Sequence, residues 1–239
     1  MKCLIIAAGL GSRLAGRGDS KPLVKLGGIP LIERVILTMM QAGITDFHVV
    51  TGYNGDKIHE HLTSFSAHAQ HPVTIDFIHN DQWEKPNGIS VYCAHQKIHE
   101  PFFLVMSDHL FDPSIVKDFQ QEGIAAGEVK LGVDMRISAN PFVDLDDVTK
   151  VLVKDGQIVD IGKTIPHYNA FDTGIFLCSP ALFQALAESI ADGDASLSGG
   201  IRNMAGKKKA HVFDIGDRTW IDVDDEAAFA KAQRLFEIN

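Results

Sequence analysis

The sequence predicts an α/β protein with a Rossmann-like, mostly parallel central sheet flanked by helices and a small antiparallel lobe. In the first half of the chain, short apolar runs rich in β-branched residues alternate with stretches of helical periodicity. This alternation is typical of a parallel sheet covered by helices. In the second half, Lys154-Asp155-Gly156-Gln157 contains an Asp-Gly pair between two apolar runs, which indicates a hairpin and hence antiparallel strands.

The first half is predicted to supply four strands and the helices between them. Lys2–Ala7 is predicted to be a strand buried on both faces, because it is apolar after Lys2. Pro30 and Gly43 bracket a predicted helix over Leu31–Ala42. The other predicted elements are strands at Asp46–Thr51, Val73–His79 and Phe102–Ser107, and helices at Asp56–Phe65 and Gly88–Ile98.

The second half is predicted to continue the same domain. Asp192–Gly200, rich in Gly, Ser and Asp, is too short to separate domains and is predicted to be a surface loop. We therefore expect one domain over residues 1–239. The predicted elements here are strands at Lys150–Val153, Ile158–Ile161, Ala170–Cys178 and Ala210–Ile215, and helices at Pro180–Ile190 and Asp225–Phe236.

Charge and hydropathy exclude several classes of partner. Twenty-two Lys and Arg stand against 31 Asp and Glu, giving a net charge of −9. Nucleic acids and anionic membranes are bound through an excess of positive charge, so we expect neither as a partner. The longest apolar runs, Cys3–Ala8 and Phe102–Met106, are far shorter than the roughly 20 residues that span a bilayer. An anionic small molecule remains compatible with this composition, because its site needs only a few cations.

The cysteines indicate a reducing compartment. Cys3, Cys93 and Cys178 are far apart in the sequence, and each lies in an apolar segment. Such residues are typical of free thiols, and the first residues lack the pattern of a secretory signal. We therefore expect a cytoplasmic protein. The oligomeric state stays open, with a homodimer among the expectations.

A glycine-rich loop, Ala8-Gly9-Leu10-Gly11-Ser12-Arg13-Leu14, directly follows the first predicted strand. The carboxyl ends of strands in an α/β sheet receive phosphorylated ligands, and glycine lets backbone N–H groups approach phosphate oxygens. A dinucleotide fingerprint would need glycine at Leu14, and a P-loop would need Lys where Arg17 follows Gly16. The loop therefore matches neither of these two common phosphate-binding motifs.

Two cations accompany this loop. Arg13 lies within it, and Lys21 follows after a glycine-containing stretch. A guanidinium binds phosphate bidentately, and an ammonium supplies a compact charge. Either residue alone would more simply be a solvated surface cation, but together after a Gly-x-Gly turn they are predicted to clamp a triphosphate.

The opening of the chain resembles that of the sugar-phosphate nucleotidyltransferases. The resemblance lies in the segments Ala7–Leu14, Lys21-Pro22-Leu23-Val24 and Gly28–Glu33. It implies that the phosphate of a phosphorylated alcohol attacks the α-phosphorus of a nucleoside triphosphate and releases pyrophosphate. The catalytic cations that it implies are Arg13, Lys21 and Lys163. The nucleotide-binding residues that it implies are Ala7, Ala8, Gly9, Gly11, Ser12, Arg13, Lys21, Gly88 and Ser90, although Ser90 also fits an ordinary first-turn helix residue.

Such a reaction brings two polyanions together and needs a divalent cation to offset their repulsion. Mg²⁺ is commonly held by one or two carboxylates. Asp108 follows a predicted strand, and Asp222 lies in Trp220-Ile221-Asp222-Val223-Asp224-Asp225. The resemblance assigns the metal to Asp108 and Asp222. Asp224 and Asp225 are predicted instead to cap the last helix, with Asp224 a secondary candidate near the metal.

The acceptor phosphate is expected in the second half of the chain, so that residues 1–125 mainly bind the nucleotide and 126–239 mainly bind the acceptor. Lys163, after the hairpin, matches a lysine of the family. The expected acceptor-binding residues are Lys163, Asp144, Asp172 and Thr173. The acidic segment Asp144–Asp147 also fits a solvated loop.

Within the family, the chain most resembles the cytidylyltransferases that act on inositol 1-phosphate. The resemblance rests on Asn87-Gly88-Ile-Ser90, Met106-Ser107-Asp108-His109, Lys163, Asp172-Thr173-Gly174 and Trp220–Asp224. It implies CTP and inositol 1-phosphate as substrates. Three alternatives stay open: a hexose-1-phosphate guanylyl- or uridylyltransferase, a nucleotide-binding regulatory module without turnover, and a phosphocholine cytidylyltransferase with an ammonium cage from Tyr168, Phe171, Phe142 and Asp144.

Overall fold

The computed structural model describes residues 1–138 and 143–236. The strands are β1 Lys2–Ala7, β2 Lys25–Leu26, β3 Ile29–Pro30, β4 Asp46–Thr51, β5 Thr74–His79, β6 Phe102–Met106, β7 His109–Phe111, β8 Val129–Asp134, β9 Lys150–Lys154, β10 Gln157–Gly162, β11 Ala170–Cys178, β12 Ala210–Asp214 and β13 Trp220–Asp222. The helices are α1 Leu31–Gln41, α2 Gly55–His68, α3 Asn87–Tyr92, α4 Pro113–Glu122, α5 Ala181–Ala191, α6 Leu197–Gly206 and α7 Glu226–Phe236. Short 3₁₀ turns cover Ser12–Arg17, Lys21–Leu23 and Cys93–Gln96.

A nine-stranded sheet organises the chain, in the order β5-β4-β1-β6-β11-β8-β12-β10-β9. Strands β5, β4, β1 and β6 are parallel neighbours. Strand β11 runs antiparallel between β6 and β8, and the β9–β10 hairpin forms the far edge. The predicted mostly parallel α/β sheet with an antiparallel addition is therefore confirmed. Because β1 and β6 are adjacent and parallel, their carboxyl ends open into the same crevice.

Two apolar layers cover the two faces of the sheet, so β1 is buried on both sides. Cys3 and Ile5 pack in the layer that includes α1, α4 and α7, whereas Leu4 and Ile6 pack in the layer that includes α3, α5 and α6. This explains why the strand is a continuous apolar run and not an alternating pattern. Within the described residues, no helix is long and apolar enough to cross a membrane.

The surface-loop prediction for Asp192–Gly200 is wrong at its carboxyl end, because α6 begins there at Leu197. Ser196 caps the helix by accepting a hydrogen bond from the Gly199 N–H at 3.0 Å. A Cβ at Gly200 would come within 2.6 Å of Leu186 on α5, so glycine allows the two helices to approach closely. The glycine in this segment, which suggested a loop, therefore allows close packing between two helices.

The other differences between the predicted and observed elements are smaller. The helix predicted over Gly88–Ile98 ends as α-helix at Tyr92 and continues as a 3₁₀ turn. Strands β7, β8 and β13 and helix α4 were not predicted, and β7 and β13 pair with each other beside the crevice. That pair is short, at three residues per strand, so it leaves little periodicity in the sequence.

Helix α3 meets the start of α6 through Gly88. A Cβ at Gly88 would lie 2.5 Å from the Ala195 carbonyl oxygen and 2.7 Å from the Ser196 carbonyl carbon. Beside it, the Asn87 side-chain oxygen accepts a hydrogen bond from the Leu197 N–H at 3.0 Å. The two segments therefore touch backbone to backbone, with no room for a side chain between them.

We expect Gly88→Ala to lower the free energy of unfolding by about 1–3 kcal/mol, because the added methyl group must push the backbone at Ser196 away. Gly206→Ala is the matched control, since a Cβ there meets nothing within 4 Å. Denaturant titration of both variants measures the difference. Equal unfolding midpoints for the two variants would show that the α3–α6 contact is not tight.

Candidate active site

A cavity of about 870 Å³ lies at the carboxyl ends of β1 and β6 and extends toward the β9–β10 hairpin. Residues from distant parts of the chain meet in its wall. Of the residues expected from the sequence to form the site, those lining it are Ala7, Gly9, Gly11, Ser12, Arg13, Lys21, Ser90, Asp108, Asp144, Lys163, Asp172 and Asp222.

Three residues expected in the site are not in the cavity wall. The Ala8 carbonyl accepts the Tyr53 N–H at 3.0 Å, so its carbonyl group is used within the fold. Gly88 faces the Ser196 backbone. Thr173 is fully buried, and its hydroxyl donates to the Gly132 carbonyl at 2.7 Å. These three residues therefore have other contacts within the fold, and their contacts with a ligand stay predictions.

The side chain of Lys21 packs beneath the turn of the glycine-rich loop. Gly11 has φ +61°, in the left-handed region that glycine adopts without strain. A Cβ at Gly11 would also overlap the side chain of Lys21. Glycine therefore lets the Lys21 stem pack directly beneath the loop, where its side chain is only 8% exposed.

Lys21 is held by carboxylates from two other segments. Its Nζ lies 2.5 Å from Asp108 Oδ2 and also pairs with Asp224. Burial alone would lower the pKa of Lys21, but Asp108, Asp222 and Asp224 outweigh burial and raise it. Conversely, burial favours a neutral Asp108, but Lys21 and His109 lower the pKa of that carboxyl well below its usual range. Both partners are therefore charged at neutral pH.

The other two cations of the cavity, Arg13 and Lys163, are paired with Asp224 and Asp147. Arg13 pairs with Asp224 and lies 2.8 Å from Asp147. Lys163 Nζ lies 2.5 Å from the other oxygen of Asp147. Asp147 thus joins a cation of the glycine-rich loop to a cation of the hairpin. The sequence placed Asp147 only within an acidic segment, and nothing in its spacing distinguished it from Asp144.

Backbone pairing between β7 and β13 sets the metal candidates side by side. Asp222 is opposite His109 in that pair, and the Asp108 carbonyl accepts the Val223 N–H at 3.0 Å. Ligand atoms of Asp108, His109 and Asp222 lie within 4.8 Å of one another. A second acidic group, Asp147 with Asp222 and Asp224, shares one member with the first.

The Asp222 carboxylate retains an unsatisfied oxygen. Its Oδ1 is buried and has no hydrogen-bond partner among the described residues. Burial raises the pKa of Asp222 to about 6. A buried carboxylate oxygen with no donor fits a divalent cation, because hard oxygen atoms are the ligands that Mg²⁺ prefers.

His109 also contacts both candidate metal carboxylates. Its Nδ1 lies 3.0 Å from Asp108 Oδ1 and 3.7 Å from Asp222 Oδ1. Burial favours the neutral ring, but Asp222 and Asp108 raise the pKa of His109 to about 9. The ring stacks on Trp220, whose Nε1 donates to the buried Asp134 at 2.9 Å.

Strand β11 contributes the side of the cavity where the sequence predicts acceptor-binding residues. Gly174 has φ +74°, and a Cβ there would collide with the His109 ring. Its N–H donates to Asp172 Oδ1 at 2.7 Å, which turns that carboxylate toward the cavity. Burial raises the pKa of Asp172 to about 6.

Comparisons with known proteins show what this chain is similar to. Residues 3–130 match the family described as MobA-like NTP transferase domain. The chain is 30% identical over 224 residues to the bifunctional IPC transferase and DIPP synthase of Rubrobacter xylanophilus, covering 92% of this chain and 48% of that protein. It is 29% identical to the protein of the same name from Thermococcus kodakarensis, over 98% of this chain and 50% of the relative. The chain thus spans about half the length of these relatives.

Solved structures show the same fold. The inositol-1-phosphate CTP transferase from T. maritima superposes with a TM-score of 0.85 at 26% identity, covering 99% of this chain and 94% of that one. A UDP-glucose pyrophosphorylase complexed with UDP-glucose superposes with a TM-score of 0.77 at 19% identity, over 99% of this chain and 98% of that one. The second match bears on the fold alone.

The Lys21 contacts predict a stability effect that is separate from activity. Lys21→Met keeps the apolar stem but leaves Asp108, Asp222 and Asp224 without their buried cation. We expect the free energy of unfolding to fall by roughly 3 kcal/mol at neutral pH without divalent metal.

Lys25→Met is the matched control for Lys21→Met. Lys25 is exposed, so we expect its replacement to change stability by no more than about 0.5 kcal/mol. Denaturant unfolding of the two variants checks the difference. A Lys21→Met protein as stable as the control would mean that the carboxylates do not depend on Lys21 for neutralisation.

Proposed function

The chain belongs to the family of MobA-like NTP transferase domains, and from this membership we propose that it transfers the cytidylyl group of CTP to inositol 1-phosphate, giving CDP-inositol and pyrophosphate. The observation that carries the proposal is the convergence of Arg13, Lys21 and Lys163 with Asp108 and Asp222 around one cavity. The choice of substrates is supported by the relatives named IPC transferase and by the likeness to an inositol-1-phosphate CTP transferase.

The reaction needs no general base. A phosphate oxygen of the acceptor, already an anion, attacks the α-phosphorus of CTP. A new P–O bond forms as the bond between the α-phosphorus and the bridging oxygen breaks, and pyrophosphate leaves with that electron pair. The work of the protein is positioning and charge stabilisation, as in other phosphoryl-type transfers.

The cations of the site have partners that substrates can replace. Arg13 and Lys21 lie beside the glycine-rich loop and would hold the β- and γ-phosphates, exchanging Asp224 and Asp147 for phosphate oxygens. Lys163 would hold the acceptor phosphate in the same way, since it also contacts Asp147. Paired carboxylates keep these cations in place in the absence of substrate and limit the cost of their partial burial.

Asp108 and Asp222 would hold Mg²⁺, which fits the buried, unpartnered oxygen of Asp222. When bound, Mg²⁺ offsets the negative charge that develops on the phosphates during transfer. His109 holds Asp108 in place by its hydrogen bond, and Lys21 contacts the other oxygen of the same carboxylate.

The two halves of the chain divide the work in this proposal. Residues 1–125 supply the glycine-rich loop, Ser90 and Asp108 to the nucleotide. Residues 126–239 supply Lys163, Asp144 and Asp172 to the acceptor, and Asp144 and Asp172 are suited to bind its hydroxyl groups. The three free thiols are typical of a reducing compartment, which supports a cytoplasmic location for the reaction.

Phosphocholine is a less suitable acceptor. Of the side chains expected to form an ammonium cage, Phe171 is 1% exposed within the core, and Phe142 lies outside the described residues. Tyr168 packs against Phe171 and the Lys150 ammonium, with 5.7 Å from the Lys150 Nζ to the Tyr168 ring centroid. The described residues therefore offer the cavity no aromatic cage from this set.

A pyrophosphate-release screen tests the proposal. The four nucleoside triphosphates are each combined with inositol 1-phosphate, phosphocholine and hexose 1-phosphates in the presence of Mg²⁺. We expect CTP with inositol 1-phosphate to give the largest kcat/KM by at least about tenfold. Turnover only with GTP or UTP and a hexose phosphate would reject the proposed substrates.

The carboxylates predict a separate metal effect. Asp108→Asn and Asp222→Asn should lower turnover by roughly a thousandfold or more, because the metal loses a charged ligand. They should also abolish the rise in unfolding temperature that Mg²⁺ gives the native protein. Asp155→Asn in the exposed β9–β10 turn is the control and should keep both properties. A full Mg²⁺ shift in Asp222→Asn would contradict the metal assignment.

A further inference from the structure

Ser90 lies in the wall of the cavity and is one of the residues that the proposed function assigns to the nucleotide. It is in α3, only 4% exposed, and the cavity wall beside it includes Trp83 and Met106. Its hydroxyl can donate one hydrogen bond and accept two. Which of these it offers to a ligand depends on the residue behind it.

Asn80, just after β5, lies behind Ser90 and is 1% exposed. Its side-chain Oδ1 accepts a hydrogen bond from the Gln82 N–H at 2.8 Å. A backbone N–H can only donate, so the atom facing Gln82 must be the amide oxygen. The amide Nδ2 therefore faces Ser90 and donates to its Oγ at 2.9 Å.

This chain of hydrogen bonds has one direction, from Asn80 to Ser90. The Ser90 oxygen is used as an acceptor, while its hydroxyl hydrogen has no acceptor among the described residues. A buried polar hydrogen without an acceptor is costly. A ligand atom that accepts a hydrogen bond would satisfy the Ser90 hydroxyl, whereas a ligand donor would leave the Ser90 hydrogen unpaired.

We propose that Asn80 is a specificity-determining positioning residue, which fixes Ser90 as a hydrogen-bond donor to the ring edge of the nucleobase. Cytosine presents an unprotonated N3, which accepts, whereas uracil presents N3–H, which donates. The Asn80–Ser90 pair therefore selects CTP over UTP. The inference rests on the proposed function, because it assumes that the base of a pyrimidine nucleotide binds next to Ser90.

Asn80→Asp reverses the hydrogen bond between residues 80 and 90 with little change in side-chain shape. A carboxylate still accepts the Gln82 N–H through one oxygen, but the other oxygen cannot donate. The Ser90 hydroxyl would then donate to the carboxylate and offer only lone pairs to the cavity. We expect the ratio of kcat/KM for CTP to that for UTP to fall by at least about tenfold, with the loss falling on CTP.

Ser90→Ala gives the matched comparison. It removes the hydroxyl, so the CTP:UTP ratio should fall, and adding Asn80→Asp to this variant should change the ratio no further. A merely structural role for Asn80 would lower the use of both nucleotides equally. Thermal unfolding of each variant shows whether the fold is retained.

The outcomes separate this inference from the proposed function. If the native protein turns over CTP in preference to UTP but the ratio is unchanged in Asn80→Asp, the role of Asn80 is overturned. If Asn80→Asp does not fold, an unchanged ratio in Ser90→Ala overturns it instead. If the native protein shows no preference for CTP, the proposed function and the inference both fail. A ratio that falls in both single variants, with no further fall in the double variant, supports the inference.

Discussion

The contact between Lys21 and the carboxylates of Asp108 and Asp224 is the interaction on which the site depends. It joins the glycine-rich loop, the end of β6 and the segment before α7, which are far apart in the sequence. A protein with net charge −9 could not attract the two anionic substrates proposed above through its general surface. The fold instead gathers a few cations in one cavity, where Arg13, Lys21 and Lys163 are each paired with carboxylates.

The sheet explains why these groups meet. Parallel β1 and β6 deliver the glycine-rich loop and Asp108 to the same edge, and the short β7–β13 pair brings Asp222 opposite His109. The antiparallel β11 then carries Asp172 into the cavity wall. Gly11 and Gly174, both at positive φ, allow side chains to pack where a Cβ would otherwise lie. Each element thus contributes one polar group to the cavity from a rigid apolar support.

Local patterns in the sequence predicted much of this arrangement. Strands β1, β4 and β11 begin and end where periodicity and composition indicated. The two candidate metal carboxylates could be named from the sequence because each lies in a compact motif. The burial of the Thr173 side chain also follows from the sequence: side chains alternate along a strand, so with Asp172 facing the cavity the side chain of its neighbour points elsewhere. In contrast, Asp147 contacts Arg13 across 134 positions, and no local pattern reports such a contact.

In the proposed mechanism, Asp108 and Asp222 hold the divalent cation next to Lys21. The most direct measurement is anomalous scattering from Mn²⁺ in crystals of the protein with a non-hydrolysable CTP analogue. The account predicts a peak within bonding distance of carboxylate oxygens of both Asp108 and Asp222. A peak bound by Asp147 and Asp224 without Asp108, or no ordered metal in the cavity, would contradict it.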